Sequence, residues 1–124
     1  MASEHKPRLE LDELRLALRH FAQARDWVQF QSPKNLSMAI AAEAGELLAE
    51  LQWLSEAESG KLQGEKRQAV AFEMADVLMY LLRLADQLDV DILEVAAEKM
   101  ALNETRYPAD KVRGSAKKYS EYTE

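Results

Sequence analysis

Wound at about 100° per residue, the stretch Leu36–Leu54 places Leu36, Ile40, Leu47, Leu51 and Leu54 on one helical face. Most of the remaining arc is apolar or small as well: Met38, Ala41, Ala42, Gly45, Leu48, Ala49 and Trp53. The carboxylates Glu43, Glu46 and Glu50 share one narrow stripe. A helix that is apolar over most of its circumference is ordinarily buried, so this stripe is expected to face an interior or a cleft, where an unpaired ion is costly. No Lys or Arg lies in the stripe, and the pairs Glu43/Glu46 and Glu46/Glu50 each cost roughly 0.2–0.5 kcal/mol in like-charge repulsion. A cation from outside the helix would relieve both.

The pattern predicts three further helices. Leu9–Gln29 carries Leu11, Leu14, Leu18, Phe21 and Val28 at three-four spacing, with Asp12 and Glu13 near its start and Arg25 near its end to suit the macrodipole. Ser32 and Pro33 interrupt the pattern, and Asn35 is placed to cap the next helix. Glu56–Gly64, with Ser59, Gly60 and Gly64, reads as a polar loop. Glu65–Leu88 is again apolar over most of its surface and carries the polar stripe Glu73, Asp76, Tyr80, Arg83 and Gln87. Asp91, with Glu94 three residues on, opens a last helix to Arg106, which Tyr107 and Pro108 end. Residues 1–8 are then a flexible leader, 9–108 one helical domain, and 109–124 a tail in which four Lys or Arg outweigh three acids.

Composition narrows the class. A chain of 124 residues suits one domain, and its few Gly and Pro, abundant apolar and charged residues and lack of strand-like alternation favour an all-α fold. The net charge of -6 argues against a nucleic-acid polymer as partner. It leaves nucleotides open, since a divalent metal can bridge their phosphates. The lack of cysteine excludes disulfides and thiolate chemistry. No apolar run is long enough to span a membrane and no signal peptide is evident, so a cytoplasmic location is expected.

Glu43 and Glu46 are three residues apart, as are Glu73 and Asp76. If their helices pack side by side, each pair projects toward a common point. Hard oxygen ligands without histidine select Mg²⁺, with Mn²⁺ as a substitute. Such a site commonly shares the metal with substrate phosphates, activates water and neutralises developing charge, which points to phosphoanhydride hydrolysis. A single E-x-x-E is more often a solvated surface pair, and Glu50 is read that way. Two pairs on the two most apolar helices, with Gly45 accepted mid-helix at roughly 1 kcal/mol relative to alanine, bring function level with the alternative that both stripes are narrow solvent faces of a tightly packed oligomer. A di-iron or di-manganese bundle would need E-x-x-H pairs, and His5 and His20 lie far from both pairs in sequence. A non-catalytic helical interaction module remains the alternative from outside enzymology.

Further motifs run through the chain in order: F-x-x-x-R-D-W-x-x-F at Phe21–Phe30, P-K-N-L at Pro33–Leu36, E-A-G-E-L at Glu43–Leu47 and Q-W at Gln52–Trp53. E-M-A-D-V-L-x-Y-L at Glu73–Leu81, K-x-x-x-N-x-x-R-Y-P at Lys99–Pro108 and K-K-Y at Lys117–Tyr119 continue the series. This ordered series resembles the MazG-like all-α nucleotide pyrophosphatases, in particular their short dCTP pyrophosphatase subgroup. The resemblance implies a four-helix-bundle core assembled as a homodimer or a dimer of dimers. It also implies Mg²⁺-dependent cleavage of a nucleoside triphosphate, dCTP or a modified dCTP, to the monophosphate and pyrophosphate, with dUTP or phosphoribosyl-ATP specificity as alternatives within the superfamily. On the matching positions it makes Glu43, Glu46, Glu73 and Asp76 the metal ligands and catalytic residues.

For the nucleotide, the resemblance points to Trp27 and Trp53 as walls for the base, to Asn35, and to Tyr80 against the sugar. Lys99, Asn103 and Arg106, at four-three spacing on one face of the last helix, suit phosphate oxygens. Lys117 and Tyr119 would fold over the triphosphate when it binds. Without the resemblance, the tryptophans read equally well as core or interface aromatics. Two positions depart from the pattern: Gln31 and Leu18 stand where relatives carry histidine, which leaves the preferred base open.

Overall fold

In the computed structural model, residues 9–116 and 119–121 are described, the Tyr119 side chain excepted. The expected leader 1–8 and Lys117 lie outside the described residues. Every regular element among the described residues is helical: α1 (Leu11–Ala24), a 3-10 turn (Val28–Phe30), α2 (Pro33–Leu51), α3 (Glu56–Ser59), α4 (Gly64–Gln87), α5 (Ile92–Arg106), α6 (Ala109–Val112) and a second 3-10 turn (Tyr119–Glu121).

Several boundaries differ from the sequence reading. α1 stops at Ala24 rather than Gln29, because Asp26 adopts a left-handed backbone (φ 54°) and closes a Schellman turn. Its N–H bonds Gln23 O at 3.1 Å and that of Trp27 bonds Ala22 O at 2.9 Å. Aspartate tolerates this conformation better than most residues. α2 starts at Pro33, and its cap is Ser32 rather than Asn35. The Ser32 hydroxyl accepts from the Asn35 N–H at 3.1 Å, while Pro33 needs no partner at the first helical position. The Asn35 side chain instead donates to Phe30 O at 3.1 Å. Part of the expected loop 56–64 is helical as α3, nucleated by a capping box in which Ser55 and Glu58 satisfy each other's backbone N–H. Finally, Ala109–Val112 of the tail forms α6.

The chain divides into two compact units at Asp89/Val90, ahead of α5, whereas the sequence placed its boundary at Pro108. In the first, α4 packs along α2 and against α1. Lys66, early in α4, pairs with Glu50, late in α2, at 2.8 Å. Gln87, last in α4, donates to Gln31 O, just before α2, at 2.9 Å. The two helices are therefore antiparallel. Ala22, Leu36, Val70, Leu82 and Ala85 form the buried core of this unit. The second unit contains α5, which Asp91 caps by accepting from the Glu94 N–H at 3.2 Å, and α6.

The expectation that α2 and α4 are buried on nearly all sides is not met within one chain. Met38, Leu48, Met74 and Leu78 are 53, 58, 58 and 40% exposed.

Candidate metal centre

Antiparallel packing of α2 on α4 brings the two E-x-x-E/D turns to the same level. Glu43, Glu73 and Asp76 each offer a carboxylate oxygen, and these atoms lie within 4.8 Å of one another. All three residues are half-buried. One oxygen of Glu43 and one of Glu73, Oε2 in each, is buried with no hydrogen-bond partner among the described residues. Buried polar atoms are rarely left unpaired. Here two unpaired acceptors, one from each helix, converge on a third acid. Burial pushes the Glu73 carboxyl up from its ordinary range, and the charge of Glu46, a hydrogen bond and charge from Glu43, and the charge of Asp76 push in the same direction. Glu46 stands outside the group of three and is exposed, although its charge is still felt by Glu73. An all-oxygen, histidine-free set with two orphaned acceptors fits a hard divalent cation such as Mg²⁺. Glu50 is half-buried and has a partner of its own in Lys66.

The other expected site residues are dispersed. Tyr80 is half-buried, one turn beyond Asp76 on the same stripe of α4. Trp27 leaves the end of α1 and meets Phe21 edge-on, 5.7 Å between ring centres. It is 47% exposed, and Trp53, beyond the end of α2, is 86% exposed. Neither tryptophan is core. Asn35 is exposed and tied to Phe30 O. Lys99, Asn103 and Arg106 are exposed on α5, in the second unit. Lys117 and the Tyr119 side chain lie outside the described residues; the Tyr119 backbone opens the last 3-10 turn.

A second cluster, centred on Asp86, was not singled out in the sequence. Asp86 has a 4% exposed side chain and accepts from three arginines: Arg15 at 2.5 Å, Arg19 through two nitrogens at 2.8 and 2.5 Å, and Arg83 at 2.8 Å. The Arg19 hydrogen bonds, followed by those of Arg15 and the charges of Arg19 and Arg83, hold its carboxyl down at about 2 against the opposing effect of burial. Arg83, 4% exposed, also donates through Nε to Gln31 Oε1 at 2.8 Å. The available signal was the placement of Arg83 and Asp86 three apart on a largely apolar helix, with Arg15 and Arg19 four apart on another.

Residues 38–122 match the model of the MazG-like family. dCTP pyrophosphatase 1 of Rattus norvegicus is 42% identical over 117 residues, which cover 93% of this chain and 69% of the relative. Its Homo sapiens counterpart is 41% identical over 118 residues, with the same shares covered. The crystal structure of a pyrophosphatase from Archaeoglobus fulgidus matches with a TM-score of 0.75 at 36% identity, covering 86% of this chain and 99% of that one. An antiparallel helix pair that gathers acids from both turns into one oxygen cluster accompanies these likenesses over most of the sequence, and the chain belongs to the MazG-like family.

Proposed function

We propose that this protein is a Mg²⁺-dependent pyrophosphohydrolase that converts dCTP, or a modified dCTP, and water to the monophosphate and pyrophosphate. The observation that carries the chemistry is the pair of buried, unpartnered oxygens on Glu43 and Glu73 beside Asp76. The dCTP pyrophosphatase relatives supply the substrate class.

Glu43, Glu73 and Asp76, with Glu46 at the rim, would hold the metal. When bound, Mg²⁺ polarises phosphoryl oxygens and lowers the pKa of water. The chain supplies preorganisation. Because α2 and α4 fix the carboxylates before substrate arrives, little reorganisation is needed as charge moves from the attacking water to the departing pyrophosphate. Acidic oxygens accept the hydrogen bonds of that water and orient it toward phosphorus. The family resemblance would assign Trp27 and Trp53 to the base, Tyr80 to the sugar, Asn35 to the nucleoside end, and Lys99, Asn103, Arg106, Lys117 and Tyr119 to the phosphates.

The same reading includes a four-helix-bundle core in a homodimer or dimer of dimers. Exposed Met38, Leu48, Met74 and Leu78 support it, since these form apolar stripes on the two helices that carry the acids. Among the described residues, no helix is long and apolar enough to cross a membrane.

The test is pyrophosphate release from a panel of canonical and modified dNTPs, with and without Mg²⁺. Metal-dependent formation of dCMP and pyrophosphate, lost in folded Glu43→Ala and Asp76→Ala variants, is expected. Absence of cleavage with either Mg²⁺ or Mn²⁺ would overturn the reading in favour of an interaction module.

A further inference from the structure

We infer that Lys66, held by Glu50, binds the terminal phosphate of the substrate and selects a nucleoside triphosphate over a diphosphate; this rests on the pyrophosphohydrolase reading above. Glu43 of α2 and Glu73 of α4 meet across the seam between the two helices. Seven residues on along α2 stands Glu50, and seven residues back along antiparallel α4 stands Lys66. Seven residues at about 100° each return to within about 20° of the same stripe and span about 10 Å. The Glu50–Lys66 pair, 2.8 Å apart, is therefore the next rung of the same seam. In the other direction, seven residues beyond Glu73, stands Tyr80. One stripe of α4 thus carries a cation, an acid of the candidate metal centre and an aromatic ring, in that order.

Stability explains this pair poorly. Glu50 lies in the last turn of α2 and Lys66 in the first turn of α4. Each charge therefore sits at the end of its helix where the macrodipole opposes it, at a cost comparable to what an ion pair open to solvent returns. The two side chains are 31 and 43% exposed, so solvent and a ligand can both reach them. An anion extending from the acidic cluster accounts for a cation at this rung. With the nucleoside on the Tyr80 side of the acids, the phosphate chain runs the opposite way, toward Lys66.

The spacing between rungs, less the reach of a lysine side chain, is within the length of a triphosphate whose first phosphate lies at the acids. Helical side chains lean toward the N-terminus of their helix. For Glu50 that direction is toward Glu43, so its carboxylate draws the Lys66 ammonium back toward the acids rather than out past the start of α4. An ammonium has three N–H donors. Glu50 takes one of them, which leaves two for phosphate oxygens. A diphosphate with its first phosphate at the same acids ends short of Lys66 and gains nothing from it, and that difference in affinity is the selectivity. Lys66 is the specificity-determining residue. Glu50 acts through it and is the positioning residue.

The experiment measures kcat and KM for dCTP and the inhibition constant of dCDP, together with calorimetric binding of pyrophosphate in Mg²⁺. The proteins compared are the native chain, Lys66→Met, Lys66→Arg, Glu50→Gln, the double variant Glu50→Gln/Lys66→Met, and Arg67→Met. Arg67 is exposed and stands about 100° round α4 from Lys66, so its variant removes the same charge away from the seam. Lys66→Met is expected to raise KM for dCTP roughly tenfold with little change in kcat, and to leave dCDP inhibition and the thermal midpoint as in the native protein. Lys66→Arg should restore most of the loss, and Arg67→Met should cause none. Glu50→Gln should raise KM by a smaller factor, and in the Lys66→Met background should raise it no further, a non-additivity that a merely structural glutamate would not show. The inference is overturned, with the pyrophosphatase reading left standing, if Lys66→Met leaves KM unchanged, if Arg67→Met raises it equally, or if dCDP inhibition weakens in step. If the native protein cleaves no nucleoside triphosphate, that reading falls and pyrophosphate decides. Binding weakened in Lys66→Met and kept in Arg67→Met upholds phosphate recognition at Lys66, and equal or absent binding ends it.

Discussion

Two polar clusters sit on α4 about two to three turns apart, and they solve the burial of charge in opposite ways. At Asp86 a carboxylate with a 4% exposed side chain has three arginines and a pKa held at about 2. At Glu73 the neighbours are Glu43, Glu46 and Asp76, the carboxyl is pushed up, and one oxygen is buried without a partner. The first cluster is complete within the chain and ties α1 to α4. The second has no counter-charge among the described residues, and on the proposed reading its repulsion is the cost of a preorganised metal site. Stability and the proposed function would then be separable along one helix.

The largest effect should come from breaking the incomplete cluster. Asp76→Ala is expected to lower metal-dependent pyrophosphate release by roughly a thousandfold, on the scale of losing a preorganised electrostatic contact in catalysis. The same variant should unfold no earlier than the native protein in metal-free buffer, because it removes one of several mutually repelling acids. Thermal unfolding with EDTA and with Mg²⁺ would show this. Mg²⁺ should raise the native midpoint and move the variant's much less.

Breaking the complete cluster should do the reverse. Asp86→Asn leaves Arg83 buried without its counter-charge and is expected to cost about 3 kcal/mol in urea unfolding. This is the lower end for a broken buried pair, because Arg15 and Arg19, 25 and 39% exposed, can turn to solvent. The pH dependence has a definite sign. The folded pKa of Asp86 lies below its ordinary value of 3.8, at about 2, so its stabilisation is present above pH 3.8 and is lost as pH falls toward 2. Urea midpoints between pH 5 and 2 should show a steeper loss in the native protein than in Asp86→Asn. Parallel curves would mean that the arginines do not bind the carboxylate as described.

The incomplete cluster was legible in the sequence and the complete one was not, for a physical reason. Glu43, Glu73 and Asp76 are conspicuous because three-residue spacing repeats acids of one sign on apolar helices, and no local pairing explains them. The Asp86 cluster draws Arg15 and Arg19 from α1 and Arg83 and Asp86 from α4, over 60 residues apart in sequence. Each looks locally like an ordinary surface charge until the helices meet. Of the fold, the existence of the four long helices and the Asp91 cap of α5 were readable, whereas the cap of α2 is Ser32 and not Asn35. The end of α1 was missed because Phe21, Trp27, Val28 and Phe30 continue an apolar pattern through a turn that only the left-handed backbone at Asp26 reveals. The deep burial expected of α2 and α4 was misjudged because periodicity reports apolar surface without saying whether the same chain covers it.

That uncovered surface offers the smallest effect and a sharp one. Gly45 lies between Glu43 and Glu46 on α2, and a Cβ built there meets nothing within 4 Å. In an isolated chain Gly45→Ala should therefore stabilise the helix by about 1 kcal/mol, without touching either polar cluster. If a second copy packs along the exposed stripe that includes Met38, Ala42, Gly45 and Leu48, the new methyl group must displace the partner, and the gain becomes a loss that depends on protein concentration. Sedimentation and thermal unfolding over a hundredfold dilution series distinguish the two. The assembled reading predicts weaker association and a lower midpoint at high concentration, with the helix-propensity gain emerging only on dilution. A uniform gain at every concentration would place this face of α2 in solvent, and the apolar stripes would then need another explanation.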